Sequence, residues 1–239
     1  MAKKKSAAAS ATTTTTTPKS VAHEVQFPSV TDKEYLACNV LSDDQIILLD
    51  DLFSAEECKA FVRFIESLPL ELTPPKKKGE AERVNHRISI TAPDFARRLH
   101  DVIAPHLPLF PHPASVRRPG GGSEGRAPSS LNSNIRMYKY TPGQHFGPHY
   151  DDAVRDAVTG DRSEWTLLVY LTGVQDGVEG GETLFYKQER GKPKETITPP
   201  LTRGTALLHR HGNECLLHEG SPVLKGTKYI LRSDLMFKS

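Results

Sequence analysis

From residue 131 onward the chain is cut into segments too short for helices. Asn134 to Tyr140, Trp165 to Leu171, Thr183 to Tyr186, Thr205 to His209, Cys215 to His218 and Lys228 to Phe237 have strand character, and Gly, Pro, Asn and Asp punctuate the gaps. This texture predicts an antiparallel sandwich or barrel, because no one segment can bury its apolar face alone. The last segment alternates. Tyr229, Leu231, Leu235 and Phe237 share one face, and Lys228, Arg232 and Asp234 share the other. Solvent is the usual environment for a polar strand face. The alternative is a polar barrel interior, where a buried cation needs an anion.

The upstream half has a different texture. Ile46 to Leu52 reads as a strand running into Ser54-Ala55-Glu56-Glu57, where Ser54 can cap a helix and Glu57 can close a capping box. Cys58, Phe61, Val62, Ile65 and Leu68 then recur at helical spacing until Pro74-Pro75. A second helix is predicted over Pro93 to Ile103, with proline in its first turn and Phe95, Leu99 and Val102 or Ile103 inward. Lys76 to Lys78 reads as an exposed charged loop, with nuclear import or phosphate contact as the alternative use. Pro111 to Ser130, which holds Arg117-Arg118-Pro119 and Gly120 to Gly122, reads as a flexible loop that could form a lid.

Residues 1–26 include Lys3 to Lys5 and threonine from Thr12 to Thr17, which cannot pack a core, so a disordered tail is expected. A transit peptide is the alternative, although arginine and amphipathic periodicity are missing. The remaining residues, 27–239, fit a single domain, with helical support and a flexible loop over 27–130 and the strand-rich core over 131–239. Lysine plus arginine number 31 against 29 acidic residues, so overall charge does not point to nucleic acid. Cys38, Cys58 and Cys215 are odd in number and widely spaced, which argues against a disulfide scaffold or zinc ribbon. No apolar run reaches about 18 residues and no apolar signal core follows the basic start. A soluble, cytoplasmic or nuclear protein without membrane attachment is expected.

His149 and Asp151 lie two apart, so in an extended segment they face the same way and can chelate one ion. Alone, His-x-Asp is a weak signal. His218 follows far along the chain, with Lys228 ten residues later. Two imidazoles and a carboxylate can occupy one face of an octahedral ferrous ion and leave the other open. Nearby, Arg136, Tyr138 and Tyr140 share a strand face before the turn at Thr141-Pro142-Gly143, and Tyr170 ends an apolar strand ahead of Gly180-Gly181-Glu182-Thr183. His145 is expected in an exposed loop, His209 and His211 either line the pocket or face water, and alternation turns Asp152 away from His149.

The runs Arg136 to Gly143, His149-Tyr150-Asp151, Gly180 to Thr183, His218 to Val223 and Gly226-Thr227-Lys228 resemble the prolyl 4-hydroxylase-like branch of the 2-oxoglutarate and Fe(II)-dependent dioxygenases. The resemblance covers residues 131–239 well and 46–110 loosely. It implies an α+β, mainly β fold, a double-stranded β-helix or jelly roll with supporting N-terminal helices. It implies His149, Asp151 and His218 as the catalytic metal ligands. Lys228 would grip the distal carboxylate of 2-oxoglutarate, Arg232 could replace or assist it, and Tyr140 and Tyr170 would line the cosubstrate. The cofactors implied are Fe(II), 2-oxoglutarate and dioxygen, with ascorbate as an accessory.

The implied reaction hydroxylates a substrate carbon and decarboxylates 2-oxoglutarate to succinate and CO2. A prolyl or other residue of a protein or peptide is the expected substrate, with the 111–130 loop, Arg83, Asn85 and Arg87 as contacts. Two alternatives stay open. One is an oxidative demethylase acting on nucleic acid, supported by Lys76 to Lys78 and Arg117-Arg118. The other is a non-catalytic metal-binding jelly-roll interaction module, against which the complete triad weighs.

Overall fold

The computed structural model describes residues 25–113, 125–188, 191 and 193–238. Almost all of the expected tail therefore lies outside the described residues, as do Arg117, Arg118 and Gly120 to Gly122 of the expected lid. In chain order, β1 (Cys38–Ser42) and β2 (Ile46–Leu49) precede α1 (Ala55–Glu66), and β3 (Glu71–Leu72), β4 (Arg83–Val84) and β5 (His86–Thr91) precede α2 (Pro93–Ile103). Then come β6 (Ser130–Leu131), β7 (Asn134–Tyr140), β8 (His145–His149), β9 (Arg162–Tyr170), β10 (Glu179–Gly180) and β11 (Thr183–Lys187). The chain closes with β12 (Glu195–Ile197), β13 (Ala206–Arg210), β14 (Leu217–Gly220), β15 (Val223–Lys225) and β16 (Lys228–Phe237).

The larger sheet runs β1-β2-β13-β9-β16-β7-β5-β3, with β6 also on β16, and the smaller runs β12-β11-β14-β8-β4. All pairings named here are antiparallel. From β7 to β16 the main strands alternate between the two sheets, the winding of a double-stranded β-helix.

Local chemistry explains the helices. Ser54 Oγ accepts from the Glu57 amide at 3.2 Å and the Glu57 carboxylate accepts from the Ser54 amide at 2.8 Å, so the capping box forms. The buried side of α1 presents Cys58, Phe61 and Ile65, and α2 presents Phe95, Leu99, Val102 and Ile103. Both pack on the larger sheet through Ile135, Met137, Trp165, Leu167, Leu231 and Phe237. Alternation sends Tyr138, Tyr140, Tyr170, Leu207 and Ile230 to its other face, where they meet Val178, Phe185 and Val223. Burial of each large apolar side chain contributes roughly 1.5–3 kcal/mol before entropy is counted.

Three expectations change. Residues 27–130 are more than helices and loop, because β1, β2, β3 and β5 widen the larger sheet and β4 edges the smaller. The strand expected over Ile46 to Leu52 stops at Leu49, where the chain turns and Asp51 adopts φ 55°. The strand expected from Cys215 begins at Leu217, since a 3₁₀ turn occupies Gly212–Glu214. The polar side of β16 is interior, with Lys228 3% and Asp234 1% exposed. Among the described residues no helix is long and apolar enough to cross a membrane.

Candidate metal centre

His149 ends β8, and the β8–β14 register pairs it directly with His218, so the two rings lie 4.2 Å apart between centroids. Asp151 follows just beyond β8. Each motif imidazole is oriented by a backbone carbonyl: His149 Nδ1 lies 2.9 Å from Gly147 O, and His218 Nδ1 lies 2.9 Å from Leu216 O. A proton on Nδ1 leaves the Nε2 lone pair for a ligand. His149 Nε2 is 3.6 Å from Asp151 Oδ1, and His218 Nε2 is 3.9 Å from Asp151 Oδ2. The three side chains thus converge on one point, as the sequence pattern expects.

Charge favours a cation there. Burial pushes His149 down to about 4 and also lowers His218, so both imidazoles are neutral near pH 7 and their contacts with Asp151 are not ion pairs. Burial alone would raise the Asp151 carboxyl, but the neighbouring Arg232 charge, with smaller help from the histidines, holds it well below the carboxylate range. Arg232 forks onto it, with Nη1 3.3 Å from Oδ1 and Nη2 3.0 Å from Oδ2. Thr166 Oγ1 donates to Oδ2 at 2.9 Å, and the Asp151 amide donates to Cys215 Sγ at 3.3 Å. Neutral Nε2 donors around an ionised carboxylate form the donor set of a divalent iron site, so these residues fit the ion.

Beside the triad a cavity is walled by Arg83, Tyr138, Tyr140, Phe146, Leu168, Thr183, Lys228 and Ile230. The Lys228 ammonium donates to Gly181 O, and among the described residues no carboxylate comes within ion-pair range of it. Burial pushes it down to about 8, against a pull from Glu182. A buried ammonium lacking an anion, set in the same cavity as the metal donors, fits the far carboxylate of an oxo-dicarboxylate. Two glycines make this corner. At Gly180, φ is +70° and a Cβ would lie 2.4 Å from Pro222 O; at Gly181, φ is +74° and a Cβ would press on Lys228 Cδ at 3.3 Å.

The other expected site residues separate. Arg232 shares the cavity wall but is engaged by Asp151, Thr166 and Asp234, so it braces the metal ligand instead of standing free like Lys228. Tyr140 lines the cavity, whereas Tyr170 is fully buried outside its wall, its ring centroid 5.5 Å from Lys228 Nζ and its hydroxyl 2.8 Å from Thr183 Oγ1. His145 belongs to β8, not to a loop, and its Nδ1 faces Gly143 O at 3.4 Å, outside the cavity wall. Asp152 is exposed. His211 sits behind Asp151, 2.9 Å from Thr166 Oγ1 and 2.8 Å from Ser163 Oγ, while His209 enters the cavity wall.

Sequence reasoning missed Thr166. The only signal was its parity with Leu168 and Tyr170 inside an otherwise apolar strand. Outside the triad, a groove of about 730 Å³ is lined by Pro74, Lys76, Arg83, Arg87, Tyr150 and Asp152 among others. Asn85, an expected substrate contact, is buried and structural instead: it accepts from Arg83 Nε at 2.9 Å and donates to His86 O at 3.0 Å.

Residues 135–233 match the family model described as the 2OG-Fe(II) oxygenase superfamily. Over these residues the chain is similar to this superfamily. It is 29% identical over 165 residues to human prolyl 4-hydroxylase subunit alpha-3, covering 64% of this chain and 26% of the relative. To Arabidopsis thaliana prolyl 4-hydroxylase 1 it is 27% identical over 207 residues, covering 77% of this chain and 66% of the relative. It thus spans about a quarter of the human relative and just under two thirds of the plant one. In fold it is similar to a Trichoplax adhaerens prolyl hydroxylase in complex with a peptide fragment, with TM-score 0.51 and 13% identity over 81% of this chain and 84% of that one.

Proposed function

We propose that the protein is a 2-oxoglutarate- and Fe(II)-dependent dioxygenase that hydroxylates a residue of a protein or peptide, proline foremost. One observation carries this reading: a buried, anion-lacking Lys228 shares one cavity with a converging His149, Asp151 and His218. Metal donors alone would suit a binding module; a second, cationic anchor suits a cosubstrate. Relatives by sequence that are named prolyl 4-hydroxylases support the peptidyl substrate.

In this reading His149, Asp151 and His218 hold Fe(II), and Lys228 holds the distal carboxylate of 2-oxoglutarate. When bound, the ion and cosubstrate supply the oxidising power that converts C–H, O2 and 2-oxoglutarate into C–OH, succinate and CO2. The chain's own share is positioning. Arg232 and Thr166 fix the Asp151 carboxylate, and Nδ1 contacts to Gly147 and Leu216 fix the two rings. Phe146, Leu168 and Ile230 keep the cavity wall apolar beside them, which restrains water at the reacting carbon. The groove of about 730 Å³ along Arg83, Arg87 and Tyr150, which also reaches His149 and Asp151, is the substrate's approach in this reading.

The test is succinate formation from 2-oxoglutarate with Fe(II), ascorbate and a proline-containing peptide library, read with mass spectrometry for a 16-dalton gain. Wild type should form hydroxylated peptide and Asp151→Ala should not. Turnover in Asp151→Ala equal to wild type would remove Asp151 from the site.

A further inference from the structure

Asp151 lies beyond the end of β8, so its carboxylate depends on other side chains to hold it. Behind it runs a chain of hydrogen bonds whose directions follow from elementary chemistry. An ionised carboxylate only accepts, so the Thr166 hydroxyl gives its one proton to Asp151 Oδ2, 2.9 Å away. Thr166 Oγ1 must then accept from His211 Nδ1, also at 2.9 Å. That puts the ring proton on Nδ1 and leaves Nε2 to accept from Ser163 Oγ at 2.8 Å. Ser163 Oγ in turn accepts from the Val154 amide at 2.9 Å. His211 is 5% exposed, and burial lowers it from the ordinary imidazole value. The ring is therefore neutral near pH 7, with one nitrogen to donate and one to accept.

The chain returns to the segment it starts from. His211 reaches Asp151 through Thr166 and Val154 through Ser163, and backbone bonds from Gly212 N to Asp151 O and from Ser163 N to Val154 O, both 2.8 Å, fasten the same segment. The two carboxylate oxygens end up unequal. Oδ2 receives Thr166 Oγ1 at 2.9 Å and Arg232 Nη2 at 3.0 Å, whereas Oδ1 receives Arg232 Nη1 at 3.3 Å. Resting on the metal reading above, we propose that His211 is a positioning residue for the metal's carboxylate: its Nδ1 proton fixes the direction of the Thr166 hydroxyl, which engages Oδ2 and leaves Oδ1 to the ion. With no donor at His211, Thr166 Oγ1 keeps only the 3.4 Å approach of Arg232 Nη2, and its hydroxyl can turn away from Asp151. Partners of this kind, one step behind a ligand, set its orientation and its hold on the metal.

The first measurement takes metal-free protein with isotope-labelled histidine near pH 7 and reads each ring's tautomer from two-bond proton–nitrogen correlation spectra. His211, assigned as the ring whose signals vanish in His211→Asn, should carry its proton on Nδ1. A proton on Nε2, or on both nitrogens, would overturn the proposal. The second measurement titrates Mn(II). Its dissociation constant should rise about tenfold or more in His211→Leu, which has no donor, and stay close to wild type in His211→Asn, whose amide N–H takes the place of Nδ1–H. Equal affinities in all three proteins would overturn the proposal, and so would an equal loss in both variants, which is what a packing role predicts. If His211→Leu does not fold, Thr166→Val breaks the chain one link later and should show the same loss; unchanged affinity there would overturn it too. Wrong tautomer with tight Mn(II) binding would remove His211 alone. A wild type with the expected tautomer that binds no Mn(II) would overturn the metal reading, and this role with it.

Discussion

Replacing Lys228 with methionine should stabilise the metal-free protein while crippling its affinity for 2-oxoglutarate. Burial moves this ammonium from 10.5 to about 8, equivalent to about 3 kcal/mol of charge held at a loss. Methionine removes that loss, fits a similar stem and gives up the hydrogen bond to Gly181 O, which costs about 1–2 kcal/mol. The balance at pH 7 is a gain of roughly 1–2 kcal/mol, or a few degrees in Tm at about 2–4 °C per kcal/mol. The sign also appears in the pH dependence. Between about 8 and 10.5 the unfolded chain keeps a proton that native Lys228 has released, so wild-type stability rises with pH through this window. Lys228→Met should lack that rise.

The cost should emerge on cosubstrate binding. Loss of one charge-assisted hydrogen bond, about 1.5–3 kcal/mol, predicts a roughly 10- to 150-fold higher Kd for 2-oxoglutarate. Differential scanning calorimetry of metal-free protein and isothermal titration of 2-oxoglutarate into Mn(II)-loaded protein measure the two halves. A variant that melts several degrees below wild type yet binds 2-oxoglutarate with unchanged Kd would refute the reasoning.

Arg232→Gln should act on the metal first, since Arg232 grips both oxygens of Asp151: metal titration should show a Kd about 10- to 100-fold higher, and a selective loss of 2-oxoglutarate affinity with normal metal binding would instead make Arg232 the anchor. Tyr170→Phe removes a hydroxyl that reaches only Thr183, so thermal melting should show about 1 kcal/mol lost with little change in 2-oxoglutarate Kd. A large rise in that Kd would bring Tyr170 into the cavity wall.

The proposed metal donors were legible because their spacing carries the chemistry: His149 at the end of β8 with Asp151 two residues on, and a later strand for His218 that the register sets opposite His149. Long elements with clear periods were legible too, as β7, β16 and α2 have the boundaries their patterns predict. Apart from β2, the upstream strands were not. β3 and β4 have two residues each, too few for a period, and β5 pairs with β7 far along the chain. Arg232 shares a face with Lys228 in sequence, but only the crossing of Asp151 over β16 shows which anion it meets. His209 sits in an apolar run that looks like any core strand, and only the fold shows that it faces Asp151.

The central claim, that one cavity holds a ferrous ion and 2-oxoglutarate together, is tested most directly by anaerobic absorption spectroscopy of the purified protein. Fe(II) and 2-oxoglutarate added together should produce a visible charge-transfer band that neither produces alone and that Asp151→Ala lacks. A folded wild-type protein showing no band with both present, or the same band in Asp151→Ala, would contradict the account.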